Sequence, residues 1–451
     1  MKRVLVANRG EIAVRVIRAC HELGLEAVAV YSTADREGAW VALADRAVCI
    51  GPPAARDSYL NQTSVIAAAE TTGCDGLHPG YGFLSESPSF VRLCEENDLI
   101  FIGPTAESME VLGDKSLAKG AMRAAGMPLV PGSEGRLSGV DEARRVAAEV
   151  GYPVLLKAAS GGGGRGMRPV GEPAELEAAY ATATAEAEAA FSDGGLYLEK
   201  IVVDAHHVEV QVVGDGAGGA LVVGERECSV QRRHQKLLEE SPSPFLSDDA
   251  RNALYAAALG AVRATNYRNA GTIECLLGGD QSFYFMEMNT RLQVEHPVSE
   301  QVTGIDLVRA QLRLSMGEPL PQQGIAPTQG HAIEFRINAE DPSRGFMPSP
   351  GPLRRFRPPL GRGVRVDTHG YEGYTVPPTY DSLVAKLIVF DEDRSSALAR
   401  AAQALAEFEV EGIATTLPLF REMVADPVFR SGQYTTAYLD EAVGRLSSLS
   451  A

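Results

Sequence analysis

The hydrophobic pattern changes period repeatedly along the chain. Residues 2–7, with the apolar run Val4-Leu5-Val6-Ala7, are read as a strand. Beyond it Ile12, Ala13, Val16, Ile17, Cys20 and Leu23 fall on one helical face, with Arg15, Arg18 and Glu22 opposite. Gly24 ends that helix, and residues 26–32 read as a second strand. The alternation continues through a strand at 47–50, a helix near 63–70 and a short strand at 100–103, which predicts an α/β sheet. Helices are then expected at 113–125, 141–150 and 173–190, with strands at 153–158 and 196–202. Strands at 207–213 and 220–226 and a helix at 247–265 precede a hairpin, followed by a helix at 305–316. The Pro/Gln/Gly-rich segment 319–329 reads as a linker. A last region carries strands at 331–338, 353–357, 364–368 and 383–390 and helices at 394–408 and 416–424.

The hairpin holds the densest chemistry. Its first strand is 271–277 and its turn is Gly278-Gly279-Asp280-Gln281. The stretch after it places Glu287, Asn289, Arg291, Gln293 and Glu295 at every second position, with Met288, Thr290, Leu292 and Val294 between. An extended chain would put the polar set on one face and the apolar set on the other. Repeated acids on adjacent strands repel unless a cation lies between them. The turn could set Glu274 beside Glu287, and Glu274, Glu287 and Asn289 are hard oxygen donors of the kind Mg²⁺ takes alongside phosphates. An amphipathic hairpin with a solvated charged face is the plainer reading.

Charge and cysteine content narrow the class. Lys+Arg minus Asp+Glu is 42 − 59 = −17, which argues against a general nucleic-acid or anionic-membrane binder. No apolar run is long enough to span a bilayer, and the first eight residues are too short for a signal peptide. The six cysteines include no C-x-x-C pair, so a reduced, cytoplasmic protein is expected. The dinucleotide glycine pattern does not follow the first strand and the Walker pattern is absent, so NAD binding and P-loop hydrolysis lose support.

Three further segments carry candidate chemistry. His78, Tyr81, Ser85 and Glu86 stand in a glycine-flanked loop between a strand and a helix, which lines a ligand crevice or is only a tight turn. Lys157 ends a strand just before a glycine run, residues 161–164, closed by Arg165; this suits a mobile phosphate flap, with a flexible linker as the alternative. Gln231, His234 and Lys236 lie in an isolated basic cluster, able to grip an anion or simply to be a solvated loop.

Together, Asn8-Arg9-Gly10-Glu11, the loop 78–86, residues 157–167, 226–236 and 287–297, the Arg336 segment 336–341 and residues 376–381 resemble the biotin carboxylase family of the ATP-grasp superfamily. The resemblance covers almost the whole chain. It implies a mixed α/β and α+β fold of three parts: an N-terminal α/β domain (1–112), an ATP-grasp domain (113–318) with a mobile lid at about 131–203, and a C-terminal biotin carboxylase domain (328–447). It implies that Lys115, Lys157, Gly163, Gly164 and His207 meet the nucleotide phosphates or neighbouring groups. Glu199, Lys200 and Val202 would hold adenine, with His234 nearby. Glu274, Glu287 and Asn289 would bind two Mg²⁺ or Mn²⁺ ions. Lys236, Arg291, Gln293 and Val294 would hold bicarbonate, with Glu295 as its base, and Arg336 would face biotin beside Tyr81 and Gln231.

The implied reaction is ATP-dependent carboxylation of biotin by bicarbonate through carboxyphosphate. The 451 residues contain no Met-Lys-Met biotinylation site, so the biotin is expected on a separate carrier protein, with separate carboxyltransferase subunits. A homodimer is expected by family analogy. Ala385 and Thr379 stand where glycine and tyrosine are frequent in the family, and Ala159-Ser160 shortens the glycine run. The first expectation is the biotin carboxylase subunit of acetyl-CoA carboxylase, in fatty acid synthesis. Propionyl-CoA and pyruvate carboxylases are alternatives, as are another ATP-grasp carboxylate ligase and an inactive nucleotide-binding scaffold. The Arg336 segment argues against the third; retention of Glu274, Glu287, Asn289, Arg291 and Glu295 argues against the last.

Overall fold

The computed structural model describes residues 1–159, 167–191, 193–442 and 445–449, without the side chains of residues 115, 190 and 191. The chain divides into two compact units. One comprises residues 1–127, 206–275 and 287–451, and the other residues 128–205 and 276–286.

The large unit begins with a five-stranded parallel sheet. Its strands are β1 (Arg3–Val6), β2 (Glu26–Ser32), β3 (Arg46–Gly51), β4 (Gly76–His78) and β5 (Ile100–Phe101), in the order β3-β2-β1-β4-β5. Both faces are covered, Val4 and Val6 packing on one side and Leu5 on the other, so the strands read as unbroken apolar runs. The order reverses between β1 and β4, and a crevice opens beyond strand ends at such a point. The loops beginning at Asn8 and at Pro79 leave those two strands there.

The small unit is an antiparallel sheet of β6 (Val154–Ala158), β7 (Met167–Val170) and β8 (Leu196–Lys200), with β6 central. Helices Val140–Val150 and Leu176–Phe191 pack on it through Val146, Ala147, Leu176 and Ala183. The expected lid, about 131–203, falls within this unit's residues.

A nine-stranded sheet lies mostly among the residues of the large unit. Its strands are β9 (His206–Asp215), β10 (Ala220–Arg232), β11 (Gln235–Ser241), β12 (Arg268–Leu277), β13 (Phe283–Asn289), β14 (Gly324–Ile325), β15 (His331–Asn338), β16 (Val364–Thr368) and β17 (Leu383–Asp391). The order is β13-β12-β9-β10-β11-β15-β17-β16, with β14 beside β10. One expectation changes here: the segment expected as a linker is pinned by β14 to β10. β15, at the start of the expected C-terminal domain, pairs antiparallel with β11, so one sheet runs across that boundary.

The two faces of this sheet differ. Leu238, Ile333, Phe335, Leu387 and Val389 pack under Leu398 and Leu405 of helix Arg394–Glu407. The opposite face carries Glu239, Glu334, Lys386 and Asp367, all buried, together with Arg336. A buried charge is costly unless paired, so this face must form an ionic network.

A second buried ionic knot ties the C-terminal helices to β11. Glu240 accepts from Arg394 Nε at 2.7 Å and Nη2 at 3.0 Å, from Tyr434 Oη at 2.6 Å, and pairs with His331. Burial opposes its charge, but Arg394 and His331 bring its pKa down to about 2. The folded pKa lies below the unfolded one. Its stabilisation is therefore complete above about pH 4.5 and disappears as pH falls towards 2, on the order of 3 kcal/mol. Glu240→Gln is expected to lower the melting temperature by several degrees at pH 7 and to match wild type much more closely near pH 3. A pH-independent difference in thermal melts would contradict this assignment.

Candidate functional site

The basic cluster that could have been a solvated loop is a hairpin. Strands β10 and β11 join through Arg233 and His234, both in the left-handed region (φ +49° and +68°), the geometry of a tight two-residue turn. His234 is exposed at the tip, and the register sets Lys236 opposite Gln231. Arg226, further down β10, is wholly buried opposite Glu209 of β9. Its guanidinium also reaches Gln211 Oε1 at 2.7 Å, Ser299 Oγ at 3.0 Å and Thr272 Oγ1 at 3.1 Å.

Lys236 is the centre of the site. Its ammonium lies 2.7 Å from Glu295 Oε1, 3.0 Å from Glu274 Oε1 and 3.1 Å from Gln293 Oε1, and it pairs with Glu209. Burial works against the charge, but Glu209, Glu295 and Glu274 hold its pKa well above the ordinary lysine value. Burial likewise opposes ionisation of Glu295, yet Lys236, Arg336 and Arg226 hold that carboxyl well below the usual range. Glu274 is depressed in the same way, against its burial, by Lys236 and His207. The cation needed to relieve the repeated acids is therefore Lys236, from the neighbouring hairpin.

The stretch after the turn is only partly a strand. β13 ends at Asn289, so the expected alternation does not continue in extended form to Glu295. Residues 290–295 leave the sheet, and the chain enters a helix, His296–Thr303, with Glu295 at its N-cap. Pro297 in the first turn and Gly304 at the C-cap (φ +71°) are the sequence signals for this unexpected helix. The polar side chains still converge. Asn289 Nδ2 and Gln293 Nε2 each donate to Glu274 Oε1 at 2.8 Å, and His207 Nε2 is 2.9 Å from Glu274 Oε2. Arg291 turns to Glu86 Oε2 (2.9 Å) and Asn289 Oδ1 (3.0 Å). Glu287 is exposed on β13.

Among the described residues, two overlapping groups could hold a cation: His207 with Glu209 and Glu274, and Glu209 with Cys228 and Glu295. Of the expected set, Glu274 and Asn289 are in direct contact. Asn289 turns its amide nitrogen to Glu274 and its Oδ1 to Arg291, and the oxygens of Glu274, Asn289 and Glu287 are the hard donors that Mg²⁺ or Mn²⁺ takes.

Arg336 of β15 stands beside this centre. Its Nη2 pairs with Glu239 and lies 3.0 Å from Glu295 Oε2. A cavity of about 450 Å³ opens in front of it, lined also by Tyr81, Phe83, Val294, Tyr380 and Leu383. Tyr81 donates its hydroxyl to Glu11, and Asn8 Nδ2 holds the loop through Pro79 O at 2.7 Å and Tyr81 O at 2.8 Å. Gly80 has φ +65°, and a Cβ there would meet Asn8 Nδ2 at 2.7 Å. The loop is a tight turn, and its Tyr81 lines that cavity. Gln231 reaches His207 Nδ1 at 2.6 Å.

In the small unit Lys157 pairs with Glu199, which lies on the same face of the neighbouring strand. Lys200 donates instead to Val150 O (2.9 Å) and Gly151 O (3.2 Å), at a helix end. Val202 follows β8, half-buried. Gly163 and Gly164 lie outside the described residues, as does the Lys115 side chain. Glu86 and Glu11, from two of the segments singled out in the sequence, also reach the site, whereas Glu209, Glu239 and Lys386 contact it but were not anticipated. Their signal is weak: single charged residues in strands that otherwise read as core.

Residues 1–109 match the family described as biotin carboxylase, N-terminal domain, and residues 334–441 match the biotin carboxylase C-terminal domain. Residues 114–323 match the carbamoyl-phosphate synthase L chain, ATP binding domain. The chain is 52% identical over 446 residues to a biotin carboxylase of Pseudomonas aeruginosa, covering 98% of this chain and 99% of that one. It is 49% identical over 442 residues to biotin carboxylase 1 of Bacillus subtilis, covering 98% of each. Among solved structures, it resembles the biotin carboxylase domain dimer of Hydrogenobacter thermophilus 2-oxoglutarate carboxylase, in complex with MgADP, ADP and bicarbonate. The TM-score is 0.87 at 46% identity, covering 98% of this chain and 97% of that one.

Proposed function

The chain belongs to the biotin carboxylase family and is an ATP-dependent carboxylating enzyme of three-part ATP-grasp architecture, and from that premise we propose that it supplies the first half-reaction of an acetyl-CoA carboxylase. Biotin would be presented by a separate carrier protein, with a separate carboxyltransferase making malonyl-CoA for fatty acid synthesis. The match to nearly the whole length of proteins named biotin carboxylase supports that half-reaction. The likeness to a domain of 2-oxoglutarate carboxylase keeps other acceptors as the alternative. Mixing the protein with carrier and carboxyltransferase, then assaying acetyl-CoA, propionyl-CoA and 2-oxo acids in parallel, distinguishes them. Carboxylation of a 2-oxo acid but not acetyl-CoA would overturn the finer assignment.

The observation that carries the mechanism is the Lys236–Glu295–Arg336 chain. Bicarbonate is a poor nucleophile until it loses its proton. Glu295 is the base, and Lys236, Arg291, Gln293 and Val294 hold the anion. With Lys236 and Arg336 both against it, Glu295 is ionised but weakly basic. A second anion entering within about 4–6 Å draws on the same cations and raises the carboxylate's pKa, so bicarbonate itself makes Glu295 a competent base. Attack on the terminal phosphate gives carboxyphosphate and ADP. Glu274, Glu287 and Asn289 would hold two divalent ions, which would supply neutralisation of the phosphate charge.

Lys157 and His207, with Lys115 and the glycines 163 and 164, take the phosphates; Glu199, Lys200, Val202 and His234 take the nucleotide base or its neighbourhood. Carboxyphosphate then releases CO₂ and phosphate, and the phosphate removes the biotin N1′ proton. Arg336 faces the ureido oxygen, where a guanidinium stabilises the developing enolate, with Tyr81 and Gln231 beside it. The Lys157–Glu199 pair would have to open for Lys157 to bind phosphate.

Arg336→Ala is expected to lower biotin carboxylation by about 10²–10³-fold, the usual cost of losing one oxyanion donor. Bicarbonate-dependent ATP cleavage should fall much less. Parallel assays of the two rates check this, and equal losses would remove Arg336 from the biotin step.

A further inference from the structure

Lys386 is a fully buried lysine in the middle of β17, among Val384, Ala385, Leu387, Ile388 and Val389. A lysine is held in such surroundings only by specific partners. Its ammonium donates to the backbone carbonyl of Val294 at 2.8 Å and lies 3.0 Å from Glu11 Oε1. Across the sheet it stands between Arg336 of β15 and Asp367 of β16, its direct cross-strand neighbours. Glu11, in turn, accepts the Tyr81 hydroxyl.

We propose that Lys386 is a positioning residue for the reaction, orienting the Val294–Glu295 peptide on one side and, through Glu11, the Tyr81 hydroxyl on the other. The inference rests on the bicarbonate and biotin roles proposed above for Val294, Glu295 and Tyr81. A peptide unit is planar, so fixing the Val294 carbonyl fixes the direction of the Glu295 N–H and the position of the Glu295 Cα. This control is needed at that point because residues 290–295 have left β13 and have no ladder to hold them. One ammonium with three donors thus joins the loop that would carry the base to the wall that would receive biotin.

The test uses the full-length protein and three steady-state assays: KM for bicarbonate and for ATP in bicarbonate-dependent ATP cleavage, and KM for free biotin in carboxylation. Lys386→Met is expected to raise the bicarbonate KM at least tenfold. It should also lower kcat towards the roughly 10²-fold loss typical of a misplaced catalytic group. KM for ATP should stay within twofold. Because Lys386→Met leaves Glu11 buried without its cation, the charge-balanced Glu11→Gln/Lys386→Met protein is made alongside it and is expected to show the same split. Lys386→Arg, which keeps a donor and the charge, should recover part of the bicarbonate KM. Glu11→Gln alone should raise the biotin KM and leave the bicarbonate KM near wild type.

A folded variant lacking Lys386 with bicarbonate KM and kcat within twofold of wild type would overturn the proposal. So would a uniform loss in all three substrates together with a lower melting temperature, which marks a merely structural lysine. Absence of bicarbonate-dependent ATP cleavage in the wild-type protein would sink the underlying functional reading, and this inference with it.

Discussion

Glu295→Gln is expected to lower bicarbonate-dependent ATP cleavage by about 10²–10⁴-fold, the range for a lost general base, while nucleotide affinity stays near wild type. The amide keeps the size of the side chain and can still accept one hydrogen bond from Lys236 or Arg336, now 2.7 and 3.0 Å from the two carboxylate oxygens. Lys236 retains Glu209 and Glu274, so the fold should survive. Only the proton acceptor is lost. Rapid-quench measurement of ATP cleavage with and without bicarbonate, beside a nucleotide-binding titration, separates the two effects. Turnover within a few-fold of wild type would exclude Glu295 as the base.

Lys236→Met should have a larger combined effect. It leaves Glu209, Glu274 and Glu295 buried together without their shared cation. Breaking a buried pair in this way costs about 3–5 kcal/mol, and here one cation serves three acids. The melting temperature should fall by several degrees, and bicarbonate-dependent turnover by more than about 10²-fold. Adding Glu209→Gln removes one of the stranded charges. The double variant should regain stability without regaining turnover. Recovery of both would show that Lys236 matters to folding alone; thermal melts and initial rates on the same two proteins decide it.

Much of this site was legible in the sequence, because its strands and helices have strong periods. The N-terminal α/β order, the 26–32 strand and the hairpin around residues 278–281 need only local pattern and turn chemistry. The misreadings share a cause: a local pattern does not say which face is inside. In β9, His207, Glu209 and Gln211 alternate with Val208, Val210 and Val212. Such alternation normally means one face in water, yet all six side chains are buried. The polar face is turned inward onto Arg226 and Lys236, which come from the next two strands and whose facing the pattern of β9 alone does not encode. Glu239, Glu334 and Lys386 escaped notice for the same reason.

The helix His296–Thr303 was hidden differently. It has eight residues, and the alternation before it suggested that a strand continued. The chain leaves the sheet there because the side chains of Gln293 and Glu295 are drawn to Lys236, a contact that no local pattern encodes.

The most direct measurement is fixation of labelled bicarbonate onto free biotin by the purified wild-type protein with ATP and Mg²⁺, scoring acid-labile product blocked by avidin. The account predicts label in carboxybiotin, dependent on ATP and divalent cation, and lost in both Glu295→Gln and Arg336→Ala. ATP cleavage that ignores bicarbonate, with no label transferred, would contradict it.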